Sequence, residues 1–344
     1  MKVLDCTIRD GSYVTNYNWG KNLIGSLVSS LSAAGIEYIE IGNGTGLGVY
    51  RQKDSYMPDA DYFNSAIPYK GNSKIGAFFI PDIGTKEDLK KFKEAGGDFV
   101  RVGVNATETQ KAYEYIEYSA HLGFYVFCNL MKSYAVSRYQ IVSACDAIVK
   151  AGAQCIYVVD SAGGMIPSQI SSYVKSIRDF YDVAVGFHGH NNLMMANANS
   201  LAAVESGAEF VDATLGGLGR GAGNAQLESL VAVLGKAGYL PDDSIDISAL
   251  SDLSNTMFSE LNKNAKGSSK REIIVGCANF HDSFTGVLEK YAGKYNVDAN
   301  DLLVEVSRIN IVNPSEELFD TMACKLSSNT EKRMVVQKFY HKKY

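Results

Sequence analysis

Two histidines separated by one residue are the first candidates for chemistry in this chain. His188 and His190 follow an apolar run at 183–185 that predicts a β-strand. Side chains two positions apart on a strand point to the same side, and neutral imidazoles are common metal ligands. A metal ion also needs an anionic ligand, and the best candidate is Asp10, far away in sequence. The competing interpretation is that the histidines belong to an ordinary polar loop.

Composition narrows the class of protein. The chain has 344 residues, 46% of them hydrophobic, so it can bury a large core in one or two domains. The net charge of -5, without long blocks of like charge, argues against a nucleic-acid partner. We see neither a signal-peptide core nor an apolar run of the ~18 residues that a membrane span needs, which predicts a cytoplasmic protein. The six cysteines lack Cys-x-x-Cys spacing and are interpreted as reduced packing residues.

Short apolar runs alternate with helical periodicity along most of the chain. Predicted strands cover 3–6, 36–41, 74–80, 99–104, 125–131, 155–159, 183–187 and 210–214, and predicted helices cover 21–34, 86–94, 107–122, 139–151, 167–180, 192–206 and 225–237. Eight strand–helix units in ~240 residues match a (β/α)8 TIM barrel, an α/β fold. A doubly wound sheet could use the same alternation. The barrel is favoured because polar residues follow the strand ends, which share one face of a barrel.

The pattern changes after the eighth unit. We expect a catalytic barrel at 1–238 and a smaller C-terminal helical domain at 239–344, with helices at 245–264, 283–296 and 301–308. The lysines of the tail at 332–344 are expected to mark a solvated terminus.

Three motifs together resemble a known superfamily. They are Asp-x-Thr-x-Arg-Asp-Gly from Asp5, His-x-His-x-Asn from His188, and Gly-x-Gly-Asn ending at Asn224. This set resembles the metal-dependent TIM-barrel lyases of the 3-hydroxy-3-methylglutaryl-CoA lyase type. Segments 158–163, 196–225 and 301–305 are most similar to the 4-hydroxy-2-oxovalerate aldolases. The resemblance implies a class II aldolase that cleaves or forms a 4-hydroxy-2-oxo acid from pyruvate and an aldehyde.

The resemblance makes Asp10, His188 and His190 the metal ligands. A carboxylate–imidazole set suits Mn²⁺ or Mg²⁺, and the family implies Mn²⁺ first. A zinc site would more often be closed by cysteine. Asn224 is a fourth ligand, a neighbour of the ligands, or a loop residue that satisfies glycine-rich backbone. The ion would bind the carbonyl and enolate oxygens as a Lewis acid.

Four residues are expected to contact the substrate. Arg9 would add a fixed cation beside the same oxygen or a carboxylate, unless it only forms a rim salt bridge with Glu40. The family holds the 2-oxo acid carboxylate with the equivalent of Ser161, which could instead cap a helix. Phe78 and Ile80 lie where the aldolase lines its aldehyde pocket with aliphatic side chains, and they could equally be barrel core.

The acid/base residue departs from the family pattern. The family places a histidine two positions after the motif glycine, whereas this chain has Tyr13. A phenol with a pKa of about 10 is a poor base at neutral pH. Aligning 276–284 with the family places His281 at a tyrosine that lies near that histidine. Our hypothesis is that the two have exchanged positions, with His281 as acid/base and Tyr13 orienting it. Otherwise His281 is a capping or surface residue and Tyr13 only reshapes the pocket.

Other classes of protein remain as alternatives. A Schiff-base aldolase needs a lysine at a strand end, and we identify none. A Claisen-type acyl-CoA synthase or lyase shares the metal set but usually carries Gln or Glu-Gln where this chain has Ser12 and Tyr13. A non-catalytic metal-binding subunit is the third class. The glycine-rich stretch at 217–222 is interpreted as an active-site loop. The resemblance also implies an acylating aldehyde dehydrogenase as partner, and we expect a homo-oligomer.

Overall fold

Eight short, almost wholly buried segments form the strands of a closed barrel. In this computed structural model, which describes residues 1–241, 244–261 and 270–328, the strands are β1 Lys2–Asp5, β2 Tyr38–Ile41, β3 Lys74–Phe79, β4 Phe99–Asn105, β5 Tyr125–Met131, β6 Cys155–Asp160, β7 Ala184–Gly189 and β8 Phe210–Ala213. Each pairs in parallel with the next, and β8 closes on β1 with Val3 opposite Val211. The predicted barrel is confirmed.

Helices connect the successive parallel strands and also follow the last one. They are α1 Thr7–Gly11, α2 Lys21–Ala33, α3 Asp59–Ala66, α4 Lys86–Glu94, α5 Tyr113–His121, α6 Arg138–Lys150, α7 Pro167–Arg178, α8 Ala196–Glu205 and α9 Leu227–Lys236. Helix α2 shows the pattern behind most of them. Its buried stripe of Ile24, Leu27, Val28 and Leu31 recurs every three or four residues and faces the barrel core.

Two of these helices were not predicted, and three strands extend past their predicted ends: β4 and β6 by one residue each and β7 by two. Helix α1 is a single turn, too short to show an apolar period. Helix α3 lies between β2 and β3, where the sequence predicts no element, and its Tyr62 and Phe63 face the core. Strand β7 continues to Gly189 instead of ending at 187, so His188 lies within the strand and not after it.

The barrel interior is built in layers, as the alternation of side chains along each strand requires. The lower layer is aromatic, with ring centroids 5.1–5.5 Å apart around the ring of Tyr38, Phe99, Phe127 and Phe210. Two residues further along their strands lie the charged side chains of the next layer: Glu40, Arg101 and Asp212. The Arg101 guanidinium donates to both carboxylates, 3.0 Å to Glu40, and all three side chains are fully buried. The candidate site lies directly above this layer.

The last five described helices are α10 Ile247–Glu260, α11 Lys270–Ala278, α12 Thr285–Tyr295, α13 Ala299–Ser307 and α14 Glu316–Ser328. Leu250 and Met257 of α10 pack in the barrel cluster. A separate apolar cluster joins α11 to α14 around Phe280, Leu288 and Phe319. The helices α11 and α14 were not predicted, and the predicted lysine-rich tail lies outside the described residues. Within the described chain, none of the helices combines the length and hydrophobicity that a membrane span requires.

Candidate active site

The first motif folds as a tight turn that presents its charged residues at the barrel mouth. The Asp5 carboxylate accepts from the Thr7 backbone N–H at 3.1 Å and from its hydroxyl at 2.6 Å. The Thr7 hydroxyl in turn accepts from the Leu215 N–H at 2.8 Å, which ties α1 to the end of β8. Asp5 and Thr7 therefore fix the turn, while Arg9 and Asp10 on α1 line the cavity at the barrel mouth.

His188 is held between two carboxylates. Its Nδ1 lies 2.8 Å from Asp212 Oδ2, and its Nε2 lies 3.6 Å from Asp10 Oδ2. Because Asp212 is an acceptor, the Nδ1 of a neutral His188 carries the proton and its Nε2 carries the lone pair. Asp212 itself is fixed by Arg101 from the layer below. This arrangement matches the carboxylate–histidine pairing that orients metal-bound imidazoles.

His190 faces the same cavity, with its ring centroid 5.2 Å from that of His188. Its Nδ1 lies 3.3 Å from the Gly223 carbonyl, so the proton of the neutral ring is on Nδ1. Its Nε2 lies 2.9 Å from an Arg220 nitrogen and accepts from it. Burial and the nearby Arg220 charge hold the pKa of His190 well below its usual value, so the imidazole is neutral.

Asp10 is the ionised centre of the group. Burial alone would raise its pKa, but Arg9, the two histidines and the Asn224 amide outweigh burial and hold the pKa well below its usual value. Arg9 Nη1 lies 3.0 Å from Asp10 Oδ1, and the Asn224 amide donates to Oδ2. Asn224 is therefore a neighbour of the carboxylate and not merely a loop residue.

The donor chemistry of this group fits a divalent cation. Asp10 Oδ2 and His188 Nε2 lie 3.6 Å apart and both carry lone pairs. A cation between them would stabilise this arrangement. The Asn224 amide oxygen is buried and has no hydrogen-bond partner among the described residues. An ion on His190 would require Arg220 to release that nitrogen. Cys6 Sγ also lies within 4.8 Å of the ligand atoms of Asp10 and His188. Its thiol contacts the Ala213 carbonyl, and burial raises its pKa well above the usual value, so we leave it out of the donor set.

One cavity of about 210 Å³ collects almost all of the predicted site residues. Nine of the ten line it: Arg9, Asp10, Tyr13, Phe78, Ile80, Ser161, His188, His190 and His281. The tenth, Asn224, does not line the cavity itself but donates to Asp10, which does. The Phe78 ring has room because Gly103 lies opposite, where an added Cβ would fall 2.3 Å from the ring. Residues from the N-terminus, the barrel strands and the C-terminal helices thus converge on one space.

The contacts of Arg9 and Ser161 bear on the alternative roles considered for them, a rim salt bridge for Arg9 and a helix cap for Ser161. Arg9 Nε donates to Glu40 at 2.8 Å, as the salt-bridge alternative expects, and the same side chain also lines the cavity over the Phe78 ring. The Ser161 hydroxyl accepts from the Lys132 backbone N–H at 3.0 Å. Helix α7 begins six residues later, at Pro167, so Ser161 does not cap it.

Tyr13 and His281 are far apart in sequence, but both line the same cavity. Burial raises the pKa of Tyr13 although the Arg220 charge acts in the opposite direction. Burial, followed by the charges of Arg220 and Lys132, holds the pKa of His281 well below its usual value. His281 Nδ1 accepts from the Ser283 N–H at 3.2 Å, so this histidine also caps the turn that follows it.

Three residues of the site were missed from the sequence. Arg101 could have been recognised from the sequence, because a charged residue inside an apolar strand needs a buried partner of opposite charge. Arg220 was seen only as part of a glycine-rich loop, yet it contacts His190, Ser161 and Asp282. Lys132 corrects our statement that no lysine stands at a strand end, because it directly follows β5 and lines the cavity.

Curated relatives align with nearly the whole chain. A 4-hydroxy-2-oxovalerate aldolase from Carboxydothermus hydrogenoformans is 33% identical over 329 residues, covering 95% of this chain and 97% of that protein. One from Moorella thermoacetica is 34% identical over 327 residues, covering 94% and 96%.

Solved structures share the fold. The N-terminal domain of a candidate aldolase from Bacteroides vulgatus superposes with a TM-score of 0.72 at 28% identity, covering 86% of this chain and 98% of that one. The carboxyl transferase domain of Rhizobium etli pyruvate carboxylase, with pyruvate and biocytin, gives 0.79 at 16% identity, covering 95% of this chain and 60% of that one. That second likeness concerns the fold alone. The family model described as HMGL-like matches residues 1–257, and the chain belongs to the HMGL-like family.

Proposed function

We propose that this protein is a divalent-metal-dependent aldolase that interconverts a 4-hydroxy-2-oxo acid with pyruvate and an aldehyde. The carrying observation is the convergence of Asp10, His188, His190 and Arg9 on one barrel-mouth cavity, in a chain whose relatives are 4-hydroxy-2-oxovalerate aldolases. Those relatives support a carbon–carbon lyase and do not favour a Claisen-type enzyme.

Asp10, His188 and His190 would hold the ion, with Asn224 beside them. A mixed oxygen and imidazole set suits Mn²⁺ or Mg²⁺. When bound, the ion supplies Lewis-acid stabilisation of the charge that develops on the 2-oxo oxygen. Asp212 and Arg101 orient the His188 ring from below.

Arg9 and Ser161 would bind the 2-oxo acid. Glu40 and Asp10 fix the Arg9 guanidinium at 2.8 and 3.0 Å, so its charge is already in place when negative charge develops. In cleavage, a base takes the proton of the 4-hydroxyl and the C3–C4 bond breaks. Its electron pair stays with the 2-oxo acid as an enolate, and the aldehyde leaves. Protonation at C3 then gives pyruvate.

His281 is the base we favour. Its pKa is held below the usual value, so its imidazole is neutral at pH 7, whereas the raised pKa of Tyr13 keeps the phenol protonated. Tyr13 would then orient the substrate or His281 as a hydrogen-bond donor. Phe78 and Ile80 would contact the aldehyde half.

The proposal is tested with pyruvate alone. The protein with Mn²⁺ should exchange the C3 protons of pyruvate in D2O, measured by NMR, and should release pyruvate from 4-hydroxy-2-oxovalerate. Asp10→Asn should abolish both, while Asp146→Asn, at an exposed residue of α6, serves as the matched control. A folded wild-type protein that binds Mn²⁺ but shows neither reaction would contradict the proposal and favour the non-catalytic subunit.

The assembly and setting of the protein are also proposals. We expect a homo-oligomer in the cytoplasm, a barrel unit at 1–238 with a helical unit after it, and an acylating aldehyde dehydrogenase as partner. Co-purification of the two proteins, with light scattering of each alone, would test the partnership and the oligomer together.

A further inference from the structure

Lys132 is a buried cation at the barrel mouth that the proposed reaction does not yet use. It follows β5 directly, adopts a left-handed conformation with φ 56°, and is only 8% exposed. Its side chain lines the cavity, with Nζ donating to the Val312 carbonyl and lying 5.7 Å from the centre of the Phe284 ring. A lysine that is buried to this extent is usually paired with an opposite charge.

The other two cavity-lining cations are matched by carboxylates. Arg9 pairs with Asp10 and Glu40, and Arg220 pairs with Asp282 at 3.2 Å. Among the described residues, no carboxylate lies within ion-pairing distance of Lys132, and only one of its three ammonium hydrogens has an acceptor. Burial and the Arg220 charge lower the pKa of Lys132 to about 8, although the more distant Glu108 carboxylate acts in the opposite direction, so most of it is still charged at neutral pH. A buried ammonium of this kind is stabilised when a ligand brings the missing anion.

The position of Nζ assigns it to the aldehyde half of the substrate. It is the backbone N–H of Lys132, not the ammonium, that meets Ser161, where the 2-oxo acid carboxylate is proposed to bind. The ammonium instead lies beside Phe284, whose ring is 6.5 Å from that of His281, the proposed base for the 4-hydroxyl. The carbon that bears that hydroxyl leaves as the aldehyde.

We propose that Lys132 binds an anionic group, a carboxylate or a phosphate, on the aldehyde partner, so that the enzyme prefers aldehydes that carry a negative charge. This inference rests on the proposed aldolase function. It narrows the substrate to 4-hydroxy-2-oxo acids with a second anionic group beyond C4.

The test compares matched aldehydes in aldol addition to pyruvate with Mn²⁺. Succinic semialdehyde against butanal tests a carboxylate, and glyceraldehyde 3-phosphate against glyceraldehyde tests a phosphate. We expect kcat/KM to favour one charged member by about 10- to 100-fold, the range of a charge-assisted hydrogen bond in a buried site. The pair that shows the larger ratio identifies the anion. Ratios near one for both pairs in the wild-type protein overturn the inference.

Variants of Lys132 test whether its ammonium causes the preference for charged aldehydes. Lys132→Met and Lys132→Gln should each bring the charged-to-neutral ratio close to one, whereas Lys150→Met, at an exposed lysine of α6, should leave it unchanged. Thermal unfolding checks that the variants fold, and the wild-type comparison stands if they do not. If Lys132→Met lowers pyruvate C3 exchange as much as it lowers charged-aldehyde turnover, the lysine serves the 2-oxo acid and our assignment is wrong. A borohydride-trapped adduct of pyruvate on Lys132 would likewise overturn it.

The failure of this inference and the failure of the proposed function are distinguishable. Without C3 exchange by the wild-type protein, the aldolase function itself fails and the inference falls with it. With exchange present and no preference for charged aldehydes, only the role of Lys132 is lost.

Discussion

At the scale of residues, the site depends on Asp10 remaining ionised although it is buried. Arg9, the two histidines and Asn224 together outweigh the desolvation of the carboxylate. Two of these neighbours are fixed in turn: Arg9 by Glu40, and His188 by Asp212. A preorganised group of this kind can stabilise charge in a transition state without first rearranging.

The pH dependence of cleavage distinguishes the two candidate bases. The pKa of His281 is lowered below 6.5, and a base acts when deprotonated, so with saturating Mn²⁺ kcat/KM should stay level as pH falls to 6.5 and decline only below it. His281→Gln should lower kcat by about 100- to 10,000-fold. The control is His121→Gln, at an exposed histidine of α5. A rate that keeps rising above pH 10 would instead identify Tyr13 as the base.

Most of the proposed site residues that line the cavity could be predicted from the sequence because they lie in or beside short motifs at strand ends. Lys132 was overlooked although it directly follows the predicted strand at 125–131, because none of the three motifs includes it. Arg220 depends on a loop whose path is set by contacts with Ser161 and Asp282 from distant segments. Residues that acquire their role through tertiary contacts leave little trace in local sequence patterns.

At the scale of elements, the strands were predictable because parallel barrel strands are buried on both faces and form continuous apolar runs. Helix α1 was missed because one turn of Thr7–Gly11 cannot show an amphipathic period. Strand β7 was predicted too short because its last residues, His188 and Gly189, are polar or small. The polar end of a barrel strand is where function replaces the apolar pattern.

Gly186 in β7 tests how closely the interior layers are packed. An added Cβ would fall 2.2 Å from the Tyr157 ring, which stacks on Arg101 with 4.5 Å from the guanidinium carbon to the ring centre. Gly186→Ala should lower the free energy of unfolding by about 1–3 kcal/mol. Gly235→Ala in α9, where the added Cβ meets nothing within 4 Å, should raise it by up to about 1 kcal/mol. Urea unfolding measures both, and equal effects of the two variants would contradict the layered packing.

At the scale of the whole molecule, barrel closure explains how two residues 180 positions apart in sequence line one cavity. Asp10 follows the first strand and His190 follows the seventh, and β8 brings them together by pairing with both β1 and β7. The C-terminal helices complete the site, since His281 and Val312 reach the cavity or its lining from that region. The superfamily was recognisable from three motifs, while the identity of the aldehyde depends on side chains that those motifs do not contain.

The most direct test of the account is an anomalous diffraction measurement on crystals grown with Mn²⁺. We predict one strong peak at the barrel mouth, within bonding distance of the Asp10 carboxylate and the Nε2 atoms of His188 and His190, with the Arg220 guanidinium displaced from His190. The absence of a peak between these three side chains at saturating Mn²⁺, in otherwise well-ordered crystals, would contradict the account.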